Sequence, residues 1–172
     1  MSKRDKMVLS GDSFEALVGN ILLKEFECCV KYNLEFFSPR INKGLECDVL
    51  AITPYKIYIV ECKNYNYSIC GKRLSPYWSF ISSHKNGFVQ NPILLNNRRI
   101  RTLKGHLRNE GFKDVDIVNY VCVPTSCNIM NDNDGVVVNS AMLPIKIKGD
   151  FVGEPKIDID EMSKIIDKIA WR

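Results

Sequence analysis

A chain of 172 residues that is 45% hydrophobic and 26% charged has the make-up of one soluble globular domain with its own core. Its formal net charge of +4 is a mild basic bias, compatible with a polyanionic partner without specifying one. No apolar run approaches the roughly 20 residues of a membrane-spanning helix, and the start MSKRDKMVLSGD lacks a signal peptide's apolar region, so a cytoplasmic protein without a membrane partner is expected.

In chain order, the first predicted element is a helix over about 13–27. Phe14, Leu17, Val18, Ile21, Leu22 and Phe26 form its apolar stripe, with Asp12 as N-cap and Glu15 completing a capping-box pattern. CVKYNLEFF alternates as a strand, and RINKGLE follows as a polar loop. CDVLAIT and KIYIVECK are two further strands, joined by a tight turn at Pro54 and Tyr55 and therefore expected to pair as an antiparallel hairpin. An irregular stretch with Gly71, Pro76, Trp78 and Gly87 leads into a helix with Pro92 near its start and Gly111 just past its end. VDIVNYVCVP is a strand ended by Pro124, GVVVN a short one and LPIKIK another candidate. A last amphipathic helix covers about 159–171 through Met162, Ile165, Ile166 and Ile169. The order implies a single α/β domain, a mixed sheet flanked by helices.

The seven cysteines (28, 29, 47, 62, 70, 122 and 127) include no Cys-x-x-Cys pair, and only two histidines could assist them. Buried free thiols in a reducing compartment fit better than a structural zinc site. In NDNDG at 131–135, a calcium loop with Gly135 as its sixth residue would have Met130 and Ala141 at positions that must be acidic, so that reading fails.

The strand KIYIVECK carries the chemistry. Side chains alternate along a strand, so Ile57, Ile59, Glu61 and Lys63 share one face while Cys62 points the other way with Tyr58 and Val60. A hairpin closed at residues 54 and 55 brings Asp48 opposite residues 61–63. Two carboxylates about 4 Å apart repel by roughly 4 kcal/mol at an effective dielectric of 20. Lysine offsets part of that repulsion, and a divalent cation offsets more. Hard oxygen ligands with a few retained waters are what Mg²⁺ prefers, and such an ion can activate water against a phosphodiester.

Asp48, a spacer of twelve residues and then Glu61-Cys62-Lys63 resembles the core of the PD-(D/E)XK nuclease superfamily. Gly11 to Glu15, ECDVLAI, IVECKNY and Asn91-Pro92 are most similar, within it, to the nuclease-related domain (NERD) family. The likeness runs over about residues 11–108. It implies a restriction-endonuclease-like fold and a Mg²⁺-dependent deoxyribonuclease, with Mn²⁺ able to substitute and endonucleolytic rather than exonucleolytic action. By the family's pattern, Asp48, Glu61 and the carbonyl of Cys62 would ligate the metal. Lys63 would act beside the attacking water, and Glu15 would be a further acidic residue of the site. The family places a glutamine three residues after the proline of Asn-Pro, where this chain has Leu95, with Gln90 and Asn96 nearby. The resemblance also implies a DNA partner and a homodimer or partner protein.

Bland readings stand beside these. Glu15 serves equally well as a helix cap, and Glu46, on Asp48's face, is a second-choice ligand or a loop-end charge. Arg98, Arg101, Lys104 and Arg108, with Arg99 between them, suit phosphate contact or a solvated helix face. Tyr77 and Trp78 suit base stacking or a core, and His84 and His106 a surface or structural role. A catalytically weak nuclease-like module that binds nucleic acid or protein, and a simple ion pair at a strand end, are the alternatives to a working nuclease.

Overall fold

The runs 49–52 and 57–60 are apolar on both faces, which suits strands in the middle of a covered sheet. A computed structural model of the protein describes residues 3–83, 86–130 and 134–171 and, within them, the side chains from residue 13 onward. Helix α1 (Lys3–Glu25) leads into strands β1 (Cys29–Ser38), β2 (Lys43–Ile52) and β3 (Ile57–Cys62). A small three-stranded antiparallel sheet follows, built from β4 (Ser68–Cys70), β5 (Tyr77–Ile81) and β6 (Asn86–Gln90). Helix α2 (Pro92–Asn109), strands β7 (Ile117–Val123) and β8 (Val137–Asn139), and helices α3 (Leu143–Gly149) and α4 (Ile159–Ile169) complete the chain.

The main sheet has the order β1-β2-β3-β7-β8, antiparallel across its first three strands and parallel from β3 onward. Thr53 closes the β2–β3 turn: its hydroxyl donates to the Lys56 carbonyl (2.8 Å) and accepts from the Lys56 N–H (3.0 Å). Helices cover both faces. Phe14, Val18 and Leu22 of α1 and Leu143 and Ile147 of α3 pack on Val49, Ala51, Tyr58 and Val60. On the other face, Leu103 and Leu107 of α2 and Met162 and Ile166 of α4 pack on Leu50, Ile52, Ile57 and Ile59. Each such side chain contributes about 1.5–3 kcal/mol on leaving water, so β3, buried over all six residues, is the most firmly held part of the sheet.

Several expectations need correction. The first helix begins ten residues before residue 13, so Asp12 lies inside it and does not cap it, and Leu17 is exposed although its stripe neighbours Val18 and Leu22 are buried. Strand β2 starts at Lys43, inside the stretch read as a polar loop, because pairing with β1 extends to Ser38↔Lys43. The segment read as irregular forms β4, β5 and β6, organised around buried Trp78. Its indole N–H donates to the Lys72 carbonyl (2.9 Å), and its ring lies on Gly71 so closely that a Cβ there would collide with it. LPIKIK is helix α3: Leu143 and Ile147, four apart, are buried together while Ile145 between them is exposed, a spacing that only a helix satisfies. His84 and residues 131–133 lie outside the described residues. No helix among the described residues is long and apolar enough to cross a membrane.

Asn91 couples the small sheet to α2. Its side-chain oxygen accepts from the Ile93 N–H (2.9 Å), capping the helix, and its amide donates to the carbonyls of Arg73 (2.8 Å) and Ser75 (2.7 Å). At the other end, Gly111 leaves the helix at φ +95, a conformation that favours glycine. Asn91→Ala is expected to destabilise the protein by about 1–2 kcal/mol, because it removes the cap and strands loop carbonyls in a buried position. Urea denaturation measures the loss, and an unchanged midpoint would contradict the coupling.

Candidate active site

The hairpin register sets the site. Val49↔Val60 and Leu50↔Ile59 are cross-strand partners, so residue 48 falls opposite residue 61 at the end of the ladder. Asp48 Oδ2 accepts from the Cys62 N–H (2.8 Å), which locks its carboxylate to the end of β3. The Lys63 N–H donates to the Cys122 carbonyl (2.9 Å), so pairing with β7 holds one residue past the strand and keeps Lys63 from fraying. Glu61 is only 1% exposed. Its Oε1 receives Lys63 Nζ at 2.6 Å and its Oε2 receives the Arg99 guanidinium at 2.5 Å. Asp48, Glu61 and Lys63 thus come together as the alternation and the turn predict.

Arg99 is the member that reading the sequence missed. It belongs to α2 and is held from behind by Asn96 Oδ1 (2.9 Å). Asn96 is fully buried and donates in turn to Asn119 Oδ1 (2.9 Å) and the Tyr120 carbonyl (3.2 Å). Asn119 donates to Asn97 Oδ1 (2.9 Å) and the Ile93 carbonyl (3.1 Å), which ties α2 to β7 through a chain of amides. A signal was present in the sequence: 96, 99, 103 and 107 recur at helical spacing, and Leu103 and Leu107 mark that stripe as the buried one. An arginine in a buried stripe needs a carboxylate.

Charge balances locally, two carboxylates against two cations, but not evenly. Burial, and then the neighbouring Glu61, push the Asp48 carboxyl above its ordinary range, against the opposing pull of Lys63. Burial by itself would lower Lys63, yet Glu61 and Asp48 outweigh it and hold the ammonium above its usual value. Lys63 therefore stays charged at neutral pH.

The donor set for a divalent cation is small. Among the described residues, no group of three or more His, Cys, Asp or Glu side chains is placed to hold one. Two carboxylates and a strand-end carbonyl do suit Mg²⁺, which takes one or two carboxylates and fills its shell with water and substrate phosphate. The set therefore fits an ion shared with substrate, provided that Glu61 exchanges a cationic partner for it.

The remaining candidates are scattered. Glu15 is half-buried on α1, and its charge is felt at Cys62, whose side chain packs on the face away from Glu61 and Lys63. Glu46 is exposed and stands opposite Glu35. Arg98, Arg101 and Arg108 are exposed on α2 and Lys104 is half-buried. Tyr77 is exposed and Trp78 buried, so only the tyrosine of that pair faces water. His106 donates to the Phe37 carbonyl (2.7 Å), a structural bond between α2 and β1. All seven cysteines are free. Burial raises the Cys122 thiol to about 12 and Cys127 to about 11, so neither is a ready nucleophile.

The nuclease-related domain (NERD) family matches this chain over residues 10–124, a span that contains Asp48, Glu61, Lys63 and Arg99. No curated protein matches the sequence. Among solved structures, the small subunit (R.BspD6I2) of the heterodimeric restriction endonuclease R.BspD6I is similar at 12% identity and a TM-score of 0.38, over 91% of this chain and 78% of that one. A likeness of that size carries no argument.

The two carboxylates should respond oppositely to removal. A raised carboxyl pKa means that the folded state holds the proton more tightly than the unfolded chain. The stability so gained is present below the usual carboxylate range and is lost as pH rises through the higher folded value. Asp48→Asn should therefore raise the urea midpoint at pH 7 without added metal. Glu61→Ala should lower stability by about 3 kcal/mol, the low end for a broken buried pair because Lys63 keeps part of its surface in water. Equal signs for the two variants would refute this division of charge.

Proposed function

The chain belongs to the nuclease-related domain family, and on that premise we propose that it is a Mg²⁺-dependent deoxyribonuclease cutting internal phosphodiester bonds. The observation that carries the proposal is the buried Glu61, shared with Lys63 at 2.6 Å and lying across the hairpin from Asp48. Asp48, Glu61 and the carbonyl of Cys62 would hold the ion, with Mn²⁺ able to substitute. When bound, such an ion polarises the scissile phosphate and lowers the pKa of an attacking water.

The chain's own groups have separable tasks in this reading. Lys63 enters as a cation, because the carboxylates keep its proton on. It then acts by donating a hydrogen bond to the attacking water or to a phosphate oxygen and stabilising the negative charge that grows there, instead of removing a proton itself. The end of β3, paired with β7 through Cys62 and tied to β2 by the Asp48 carboxylate, holds these groups in fixed positions. Arg99 neutralises Glu61 Oε2, and on releasing it offers a planar guanidinium that matches phosphate in a bidentate manner. Glu15, approaching Cys62 from α1, is assigned an outer role through water. The protein would act as one soluble domain in the cytoplasm, on DNA, alone as a homodimer or with a partner protein.

One observation favours a second reading. Both oxygens of Glu61 are already paired and the cluster is neutral, as in a nuclease-like module that binds nucleic acid without cutting it. Incubation with plasmid, single-stranded DNA and RNA in Mg²⁺, Mn²⁺ or EDTA separates the two. Metal-dependent cleavage should fall roughly 100-fold or more in Asp48→Asn and in Lys63→Met. Asp48→Asn is the informative variant, because the expected gain in stability excludes unfolding as the cause. Undiminished cleavage in both variants would overturn the nuclease assignment, and binding without any cleavage would install the second reading.

A further inference from the structure

A groove of about 800 Å³ lies between the β1–β2 turn and α2. Arg40 lines it from the turn and Arg98 and Arg101 from the helix, and among the described residues no acidic one borders it. All three arginines are exposed, and none has an ion-pair partner among the described residues. Ile41, 51% exposed, and Leu45 give the groove an apolar wall. Three unpaired guanidiniums converging on one concave surface repel each other unless an anion lies between them.

Gly105 is the second observation. It sits in the interior of α2 at the groove, where glycine is among the poorest helix formers. A Cβ built there meets nothing within 4 Å, so no neighbour within the protein requires the missing side chain. Its φ is ordinary for a helix, so backbone conformation does not require glycine either. A glycine that the fold does not need, in the floor of a cationic groove, leaves room for something outside the fold.

The groove is built on the two elements that carry Asp48 and Arg99, although neither residue lines it. Arg98 precedes Arg99, the partner of Glu61. Leu45 lies three residues before Asp48 on the same strand, about 10 Å at 3.3 Å per residue. We infer that this groove is the track for the nucleic-acid strand. Phosphates pair with Arg40, Arg98 and Arg101, the strand backbone passes close over Gly105, and the chain leads from there to Asp48 and Glu61. The apolar wall of Ile41 and Leu45 suits the faces of unstacked bases, which a single strand presents and a duplex does not, so the track takes one strand. The inference rests on the proposed nucleic-acid function, and it adds Arg40 and Gly105 while setting Arg108 aside.

Fluorescence anisotropy with labelled single-stranded and duplex DNA, in EDTA so that nothing is cut, tests it alongside thermal unfolding of each variant. The wild-type chain should bind the single strand in preference to the duplex. Gly105→Leu should melt at a higher temperature yet bind about tenfold or more weakly. Arg98→Ala/Arg101→Ala should lower the slope of log affinity against log salt by about 1.4, two contacts at roughly 0.7 each on a single strand. Arg108→Ala, on the same helix but outside the groove, should match the wild type. A Gly105→Leu protein that is folded and binds normally overturns the track, as does duplex preference or an Arg108→Ala loss equal to that of the double variant. Those outcomes leave metal-dependent cleavage intact, whereas a wild-type chain that binds no nucleic acid overturns the functional reading with it.

Discussion

Glu61 is almost fully withdrawn from water, and a lone carboxylate there would cost several kcal/mol that the fold could not absorb. Lys63 and Arg99 make the position tenable, one on each oxygen. The two cations arrive by different routes. Lys63 comes from the same strand, two residues on, where the pleat returns it to the same face. Arg99 comes from α2, which must lie at the correct height along β3. Much of the molecule answers to that second requirement: Asn91 caps α2 and anchors it to the small sheet, Asn96 and Asn119 tie it to β7, and Leu103 and Leu107 seat it on the core.

Helix α2 therefore has two faces with separate tasks. One buries Leu103 and Leu107 and, from the same stripe, sends Arg99 to Glu61, and the other turns Arg98, Arg101 and Gly105 toward the groove. Because a helix is rigid over this length, these faces cannot shift independently. A strand lying in the groove would be placed against the carboxylates by the same element that neutralises them. The small sheet is linked to the cluster through Asn91, which fixes where α2 begins.

The site is not arranged for stability. Asp48 is held where burial and Glu61 both oppose its charge, and only the Cys62 N–H, Lys63 and, at greater remove, Arg99 support it. A core optimised for folding would place a neutral residue there. Conflict of this kind between local charge and burial is typical of positions kept for chemistry. It also separates the two carboxylates of one motif: Glu61 has a cation on each oxygen, whereas Asp48 accepts a backbone N–H and its carboxyl is held above the ordinary range.

The sequence by itself determined the hairpin and its charges. Runs apolar on both faces, a turn at Pro54 and Tyr55 and the strict alternation of side chains are local facts, and they suffice to bring Asp48, Glu61 and Lys63 together. Helices α2 and α4 were legible for the same reason, through periodicity and caps. Tertiary structure decided the rest. Strands β4–β6 are three to five residues long and gain their identity only by pairing with each other around Trp78, which no local pattern records. LPIKIK alternates like a strand, yet four-residue spacing against the sheet made it a helix. Arg99 was visible as one basic residue among several, and only the packing of α2 on β3 selected it, because which side of a helix is buried depends on what the helix lies against. Charge, periodicity and turns are properties of neighbours in the chain; a counter-ion 38 residues away is a property of the fold.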